Sequence, residues 1–150
     1  MSYLRFFAMI LTSMVCMYLL TYANIWSLDH ATFSESRLYM VLYMGAVMAV
    51  VMLAFMWGMY EGQGAKLGIL AGSAAVFALG LFLMRSQTTV ADVSWMRAMI
   101  PHHSIAILTS ERATITDPRV RELADGIIAA QREEIAEMKA LIADLTGDDG

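Results

Sequence analysis

Three long runs of uncharged, mostly apolar residues fill the first 85 positions of the chain. They extend over residues 6–28, 38–60 and 67–84. An α-helix needs about 20 such residues to cross a bilayer, with a range of about 17–25. Backbone polar groups cannot be left without hydrogen bonds in lipid, so each run is predicted to be a helix. The sequence therefore predicts an all-α protein with a three-helix membrane anchor over residues 1–85.

The first run could also be read as a secretory signal peptide, because Arg5 precedes its apolar residues. The run is long for a signal peptide, and no clear small-residue cleavage site follows it, so we interpret it as a retained helix. Three spans place the two ends of the chain on opposite sides of the membrane. The basic residues near the spans are balanced between the two sides, and charge alone therefore leaves the orientation open.

Composition separates this chain from ordinary soluble domains. Hydrophobic residues make up 59% and charged residues 16%, against about 45–50% and about 25% in soluble domains. The charge is also uneven, because residues 1–85 hold four basic and three acidic groups, whereas residues 86–150 hold six and eleven. Nucleic-acid binding needs a basic face. We therefore expect a lipid membrane as a partner and no nucleic acid.

Methionine is unusually frequent, with 14 residues in a chain of 150. Within the second span it recurs every fourth residue, at Met40, Met44, Met48, Met52 and Met56. Thioethers favour Cu(I), so Met44, Met48 and Met52 are a speculative intramembrane metal ladder. Each step of four residues advances about 40° around a helix, which spreads the sulfur atoms and favours adaptable packing instead. Cys16, alone in the first span, is interpreted as a small buried hydrophobic residue.

The remainder of the chain is predicted to be a helical hairpin over residues 92–145. A polar linker at 86–91 precedes it, and a disordered tail at 146–150 follows it. Asp117 and Pro118 form the pattern of an N-cap followed by proline at the first helical position. The two helices should therefore cover about 91–113 and 118–145, with a kink at Pro101 in the first.

Chemically distinctive residues of the two helices come level when this hairpin closes at Asp117. Met96, Met99 and His103 lie 21, 18 and 14 residues before Asp117, and Met138, Glu134 and Gln131 lie 21, 17 and 14 residues after it. Each set follows the i, i+3, i+7 spacing of one helix face. The pattern therefore predicts that thioether, imidazole and carboxylate groups face each other across the hairpin, with His102 beside them.

The donor types in these stripes indicate copper, with Cu(I) favoured over Cu(II). Structural zinc sites favour cysteine, which this part lacks, and a di-iron bundle site needs Glu-x-x-His pairs, which are absent from the sequence. Candidate ligands are Met96, Met99, His102, His103 and Met138. Gln131 and Glu134 are candidates for hydrogen bonds that orient a ligand histidine without contacting the metal. The competing interpretation is that the methionines are core residues and His103 is a hydrogen-bonded core histidine.

The run M-x-x-M-I-P-H-H at 96–103, with Gln131, Glu134 and Met138 downstream, resembles the domain of unknown function family 305. The resemblance implies a ferritin-like helical fold, and copper binding and copper tolerance outside the cytoplasm. It thus implies a bacterial inner-membrane protein with a cytoplasmic N-terminus and a periplasmic hairpin. Family members often carry a methionine where this chain has Thr109. Many also carry two copies of the motif, so a single copy implies a homo-oligomer built from half-bundles.

The expected function is that of a membrane-anchored protein that buffers copper, confers tolerance to it or hands it over. Catalysis is not expected, because the sequence offers no nucleophile–base–orienter set and no glycine-rich phosphate loop. A structural or regulatory small subunit of a larger membrane complex is the alternative, with the hairpin as an oligomerisation element and no metal. A metal channel along the second span is a third possibility.

Overall fold

A computed structural model describes residues 2–147, and its regular elements are all helical. Five α-helices follow in order: α1 (Tyr3–Leu20), α2 (Glu35–Phe55), α3 (Gln63–Ser86), α4 (Asp92–Arg112) and α5 (Pro118–Thr146). Single 3-10 turns lie at Leu28–His30 and Trp57–Met59, and the described residues contain no strand. The predicted all-α class is confirmed.

Helices α1, α2 and α3 are long and apolar enough to cross a membrane. They contain 18, 21 and 24 residues. At about 1.5 Å per residue they extend over about 27, 32 and 36 Å, close to the about 30 Å of a bilayer's hydrocarbon layer. The number of candidate spans agrees with the three apolar runs in the sequence.

The first span ends earlier than predicted, at Leu20 rather than at residue 28. The hydroxyl of Thr21 donates to the Tyr18 carbonyl at 2.6 Å, and the Arg37 guanidinium donates to the Thr21 carbonyl at 2.7 Å. Carbonyls at a helix C-terminus have no partner within the helix. These two bonds provide partners for them, so the apolar residues that follow Thr21 are released from the span.

The other two spans also differ from their predicted limits. α2 covers Glu35–Phe55 rather than 38–60, because the chain turns at Trp57–Met59. α3 begins earlier than residue 67, and Lys66 in its first turns is buried with its ammonium 4.7 Å from the Trp57 ring centroid. A cation over an indole face is stabilised without a carboxylate partner. Charged residues thus extend α3 beyond the uncharged run.

The membrane helices share a small core formed by Phe6, Ile10, Ala49, Leu53 and Tyr60. Gly45 allows a close approach between α1 and α2, since a Cβ atom there would lie 2.5 Å from the Met14 sulfur. The glycine therefore makes room for a methionine side chain. Cys16, which was expected to be buried, is exposed on the surface of this unit; that prediction was wrong.

The chain divides into two compact units, and the division differs from the predicted one at residue 85. One unit contains the chain up to Thr21 together with Ser36–Thr89. The other contains Tyr22–Glu35 together with the described residues from Val90 onward. Residues 22–34, here called the strap, connect α1 to α2 but belong to the unit of α4 and α5. The reason is the early end of α1, which frees these residues to pack outside the span.

Helices α4 and α5 pack against each other through one apolar cluster. Its buried members are Met96, Ile100, Ile107, Ile135 and Met138. Asp117 is the N-cap of α5, accepting from the Arg119 backbone N–H at 2.9 Å, with Pro118 in the first turn. α4 continues through Pro101 as a single helix. Thr146 ends α5, Gly147 follows as its C-cap, and the rest of the predicted tail lies outside the described residues.

Candidate metal centre

His103 is held in a fixed orientation by its own helix. Its Nδ1 lies 3.0 Å from the Met99 carbonyl oxygen, one turn earlier on α4. A carbonyl only accepts hydrogen bonds, so Nδ1 carries the proton and donates it. Metal-ligating histidines commonly donate one ring N–H to a carbonyl in this way, which leaves the other nitrogen for the metal. Nε2 is therefore the nitrogen through which His103 would bind a metal.

That nitrogen faces Glu134 of α5. His103 Nε2 lies 2.7 Å from Glu134 Oε2, and the Gln131 amide donates to the same oxygen at 3.5 Å. The His103 side chain is 11% exposed and that of Glu134 49%. Glu134 can therefore rotate towards solvent, whereas His103 stays where α4 holds it. A carboxylate oxygen accepts unless it is protonated, so a proton must lie between Nε2 and Glu134 Oε2, and a metal at Nε2 would have to displace that proton as well as the carboxylate.

Five candidate ligands were predicted, and the structure brings the three methionines among them into one apolar region. Met96 and Met138 are buried members of the α4–α5 cluster, and Met99 is partly buried against it. The register differs slightly from the predicted one, because His103 contacts Glu134 rather than standing level with Gln131. Long side chains bridge a diagonal of one turn without difficulty.

His102 lies apart from this cluster. Its side chain is exposed, and its ring centroid is 6.0 Å from that of His103 with the planes at 63°. Successive residues on a helix point about 100° apart, so only one histidine of an adjacent pair can face α5. The structure thus separates the pair into an inward-facing His103 and an outward-facing His102.

The donor set decides which metal these residues fit. Among residues 2–147, no group of three or more His, Cys, Asp or Glu side chains is placed to hold a metal ion. A zinc site built from nitrogen, oxygen and thiolate donors is therefore not assembled in this part of the chain. A metal held by His103 would therefore need thioethers as its other ligands, and that combination would fit Cu(I).

The intramembrane methionines do not share one face. Met44 is exposed on the surface of its unit, whereas Met48 and Met52 pack against the core that contains Phe6 and Leu53. A stepwise path for copper would need successive sulfur atoms on the same side of α2. The arrangement agrees better with packing than with a ladder.

Sequence reasoning missed the contribution of the strap. The Trp26 backbone N–H donates to Ser104 Oγ at 2.7 Å, and His30 Nδ1 lies 2.9 Å from the same oxygen. Ser104 is fully buried. Since Ser104 Oγ already accepts from Trp26, its own proton is available to a neutral His30 Nδ1. The polar pattern Ser-x-Asp-His at 27–30 was the available signal, but the expected end of the first helix at residue 28 concealed it.

The strap contacts the hairpin beside three of the candidate ligands. Ser104 follows His103 in the chain, Arg97 follows Met96, and Lys139 follows Met138. The Thr32 hydroxyl donates to the Arg97 carbonyl, and the Asp29 carboxylate pairs with the Lys139 ammonium. The strap thereby contacts the hairpin at one backbone carbonyl and two side chains, each one residue after a candidate ligand.

Charge and burial set the protonation states along the strap. Hydrogen bonds from Lys139 and then Ser27 hold the pKa of Asp29 well below its ordinary value. Burial lowers the pKa of His30, and Lys139 acts in the same direction while Asp29 opposes them. His30 Nε2 is 3.7 Å from the nearest Asp29 oxygen. The docked strap therefore favours a neutral His30.

We expect the strap to undock as pH falls through about 6.5, the ordinary pKa of histidine. The folded-state pKa of His30 is lowered, so docking is stabilised above the unfolded pKa and loses that stability as pH falls below it. Protonated Nδ1 can no longer accept the Ser104 proton. Hydrogen exchange at the Trp26 amide measures the loss of docking, which should appear as a protection factor that decreases from pH 7.5 to pH 5.5. His30→Asn, which does not titrate, should flatten that decrease; equal decreases in both proteins would exclude His30 as the cause.

Comparison with known proteins gives two similarities. The family model described as Domain of unknown function (DUF305) matches residues 81–146, which include the whole of α4 and α5. The uncharacterised protein L153 of Acanthamoeba polyphaga mimivirus is 30% identical over 141 residues, covering 89% of this chain and 88% of the viral protein. That alignment is long enough to include membrane-length helices as well as the hairpin. No solved structure matches the chain.

Proposed function

We propose that this chain, which belongs to the DUF305 family, binds Cu(I) in its hairpin unit and buffers it or hands it over beside a membrane. The observation that carries the proposal is the orientation of His103. Its Nδ1 is occupied by the Met99 carbonyl, and its Nε2 is directed to a half-exposed carboxylate that can move away. One imidazole nitrogen thus faces a carboxylate that a metal could displace, on the helix face that also carries Met96 and Met99.

The ligands of the proposed site are expected to contribute unequally to the affinity for copper. His103 is the anchor, and Met99 is the methionine one turn earlier on α4 whose carbonyl holds the histidine. Met96 and Met138 are buried in the apolar cluster, which supplies a water-poor environment suited to a soft ion. His102, being exposed, is an accessory ligand through which copper could enter or leave.

A single side of the membrane is proposed for the strap and the hairpin. Crossing α1 brings the chain to the strap, and crossing α2 and α3 brings it back to the same side before α4 begins. The strap and the hairpin share contacts within one unit, which supports this count of spans. In a bacterium, we propose, that side is the periplasm and the membrane is the inner membrane, with the N-terminus in the cytoplasm.

The protein is proposed to bind metal rather than to catalyse a reaction. One serine–histidine contact exists among the described residues, between Ser104 and His30. Ser104 is fully buried and its oxygen accepts from Trp26, so a substrate cannot reach it as it would reach a nucleophile. The strap contacts are better explained as structural support for the neighbouring metal ligands.

Titration of the full-length protein with Cu(I) against a competing chelator tests this function. Met99→Leu combined with His103→Ala should abolish competition, because it removes the anchor and its adjacent thioether. Met44→Leu combined with Met59→Leu is the matched control, since both methionines are exposed on the membrane unit. Equal affinities of the hairpin variant and the wild type would make the site assignment wrong. Weak binding in all three proteins would favour the alternative of a metal-free structural subunit.

A further inference from the structure

One side of α5 carries large apolar residues that the chain itself leaves uncovered. Leu123, Ile127, Leu141 and Leu145 are 64%, 37%, 44% and 57% exposed. At 100° per residue, these four side chains lie within about 40° of one another around the helix. Glu134 lies in the middle of the same face. We call these five residues the α5 stripe.

The α5 stripe is symmetric about Glu134. Ile127 and Leu141 each lie seven residues from it, and Leu123 and Leu145 each lie eleven residues from it. A two-fold interface requires a surface that is complementary to itself, with each residue meeting its counterpart in the other copy. Two antiparallel α5 helices related by an axis at Glu134 would pair Ile127 with Leu141 and Leu123 with Leu145.

The charges of α5 favour the antiparallel arrangement over the parallel one. The half from Pro118 to Arg132 has three arginines and two acidic residues, whereas the half from Glu133 to Thr146 has four acidic residues and one lysine. Antiparallel helices place the basic half of one copy against the acidic half of the other. Parallel helices would place the two acidic halves together, where like charges repel.

The surface near the start of α5 is shaped to accept a side chain. A groove there is lined by Leu123, Gly126, Ile127 and Ala130 among its residues. A Cβ atom at Gly126 would meet nothing within 4 Å. Four residues at i, i+3, i+4 and i+7 form the hole that receives one knob in helix packing. Antiparallel pairing about Glu134 brings Leu141 of the second copy to this hole.

We propose that two copies of this chain associate through the α5 stripe, with antiparallel α5 helices and a two-fold axis at Glu134. The two hairpins then form a four-helix assembly, which adds apolar burial to a unit of a size that is marginal by itself. Glu134 of one copy lies opposite Glu134 of the other, each bonded to its own His103. The two candidate metal centres therefore meet at the axis. The interface itself is argued from α5 alone and does not depend on copper.

Disulfide cross-linking of the full chain in nanodiscs tests both the face and the direction. In a Cys16→Ser background, Ile127→Cys mixed with Leu141→Cys should form a cross-linked dimer on oxidation with diamide. Neither variant should do so by itself, because each is about 20 Å from its own counterpart in an antiparallel pair. A copper chelator is present throughout, so that the result is independent of the proposed metal function. Self-cross-linking of Ile127→Cys would indicate a parallel pair and overturn the proposal.

A second pair of variants measures assembly without cysteine chemistry. Ile127→Asp combined with Leu141→Asp should reduce the protein mass in detergent twofold, from dimer to monomer. Ala129→Asp is the control, because this exposed residue lies on the opposite side of α5 from the stripe. Circular dichroism checks that the helices of each variant persist. A monomeric wild type, or a stripe variant that keeps the dimer mass, would contradict the interface.

Discussion

His103→Gln is expected to weaken Cu(I) binding by at least about 100-fold. Groups that only orient a metal ligand already contribute 10–100-fold to affinity, and His103 is proposed as a ligand itself. Glutamine can still donate to Glu134, which preserves the polar contact between α4 and α5 now made at 2.7 Å. The affinity is measured by competition with a Cu(I) chelator, and thermal unfolding of the same samples reports the stability of the fold.

His102→Gln is the matched control for this prediction, since it makes the same substitution at the neighbouring position. Its side chain is exposed, whereas His103 is buried. We expect a loss of less than about 10-fold, below the range for groups that orient a ligand. If the two variants lose affinity equally, the distinction between an inward-facing and an outward-facing histidine is wrong.

Ile107→Ala is expected to destabilise the hairpin unit by about 2–5 kcal/mol, the range for large-to-small substitutions in a packed core. Ile107 is fully buried in the α4–α5 cluster together with Ile135. In a unit of this size that loss lowers the Tm by roughly 10 °C or more. Circular dichroism during heating in detergent measures the transition.

Val120→Ala serves as the control for the core substitution. Val120 is 48% exposed on α5 and lies outside the cluster. Substitutions at such surface positions usually change stability by less than about 0.5 kcal/mol. Equal shifts for the two variants would show that the α4–α5 cluster does not determine the stability of the unit.

The sequence predicted most of the fold because its strongest signals are local. Uncharged runs of membrane length predict spans, and the Asp117-Pro118 pair predicts where α5 begins. The end of α1 was not predictable from hydropathy, because Ile25 and Trp26 are apolar but serve the extramembrane unit. Ile25 is buried there, and the stop at Thr21 depends on Arg37, which is distant in the sequence.

The candidate site was predictable only in part, for a related reason. Spacing on the two helices predicted His103 level with Gln131, one turn from Glu134, and the structure instead places His103 in contact with Glu134. Helical spacing does not separate His102 from His103 until the face that packs against α5 is known. The support from Ser104 and His30 joins residues 74 positions apart, and no helical periodicity predicts such a contact.

Elemental analysis of the protein extracted from its native membrane shows directly whether the chain carries copper. We expect copper in a fixed ratio to the chain, and loss of that copper in the His103→Gln variant while its helices remain folded. A folded wild-type protein that carries no copper, or copper that the His103→Gln variant retains in full, would contradict it.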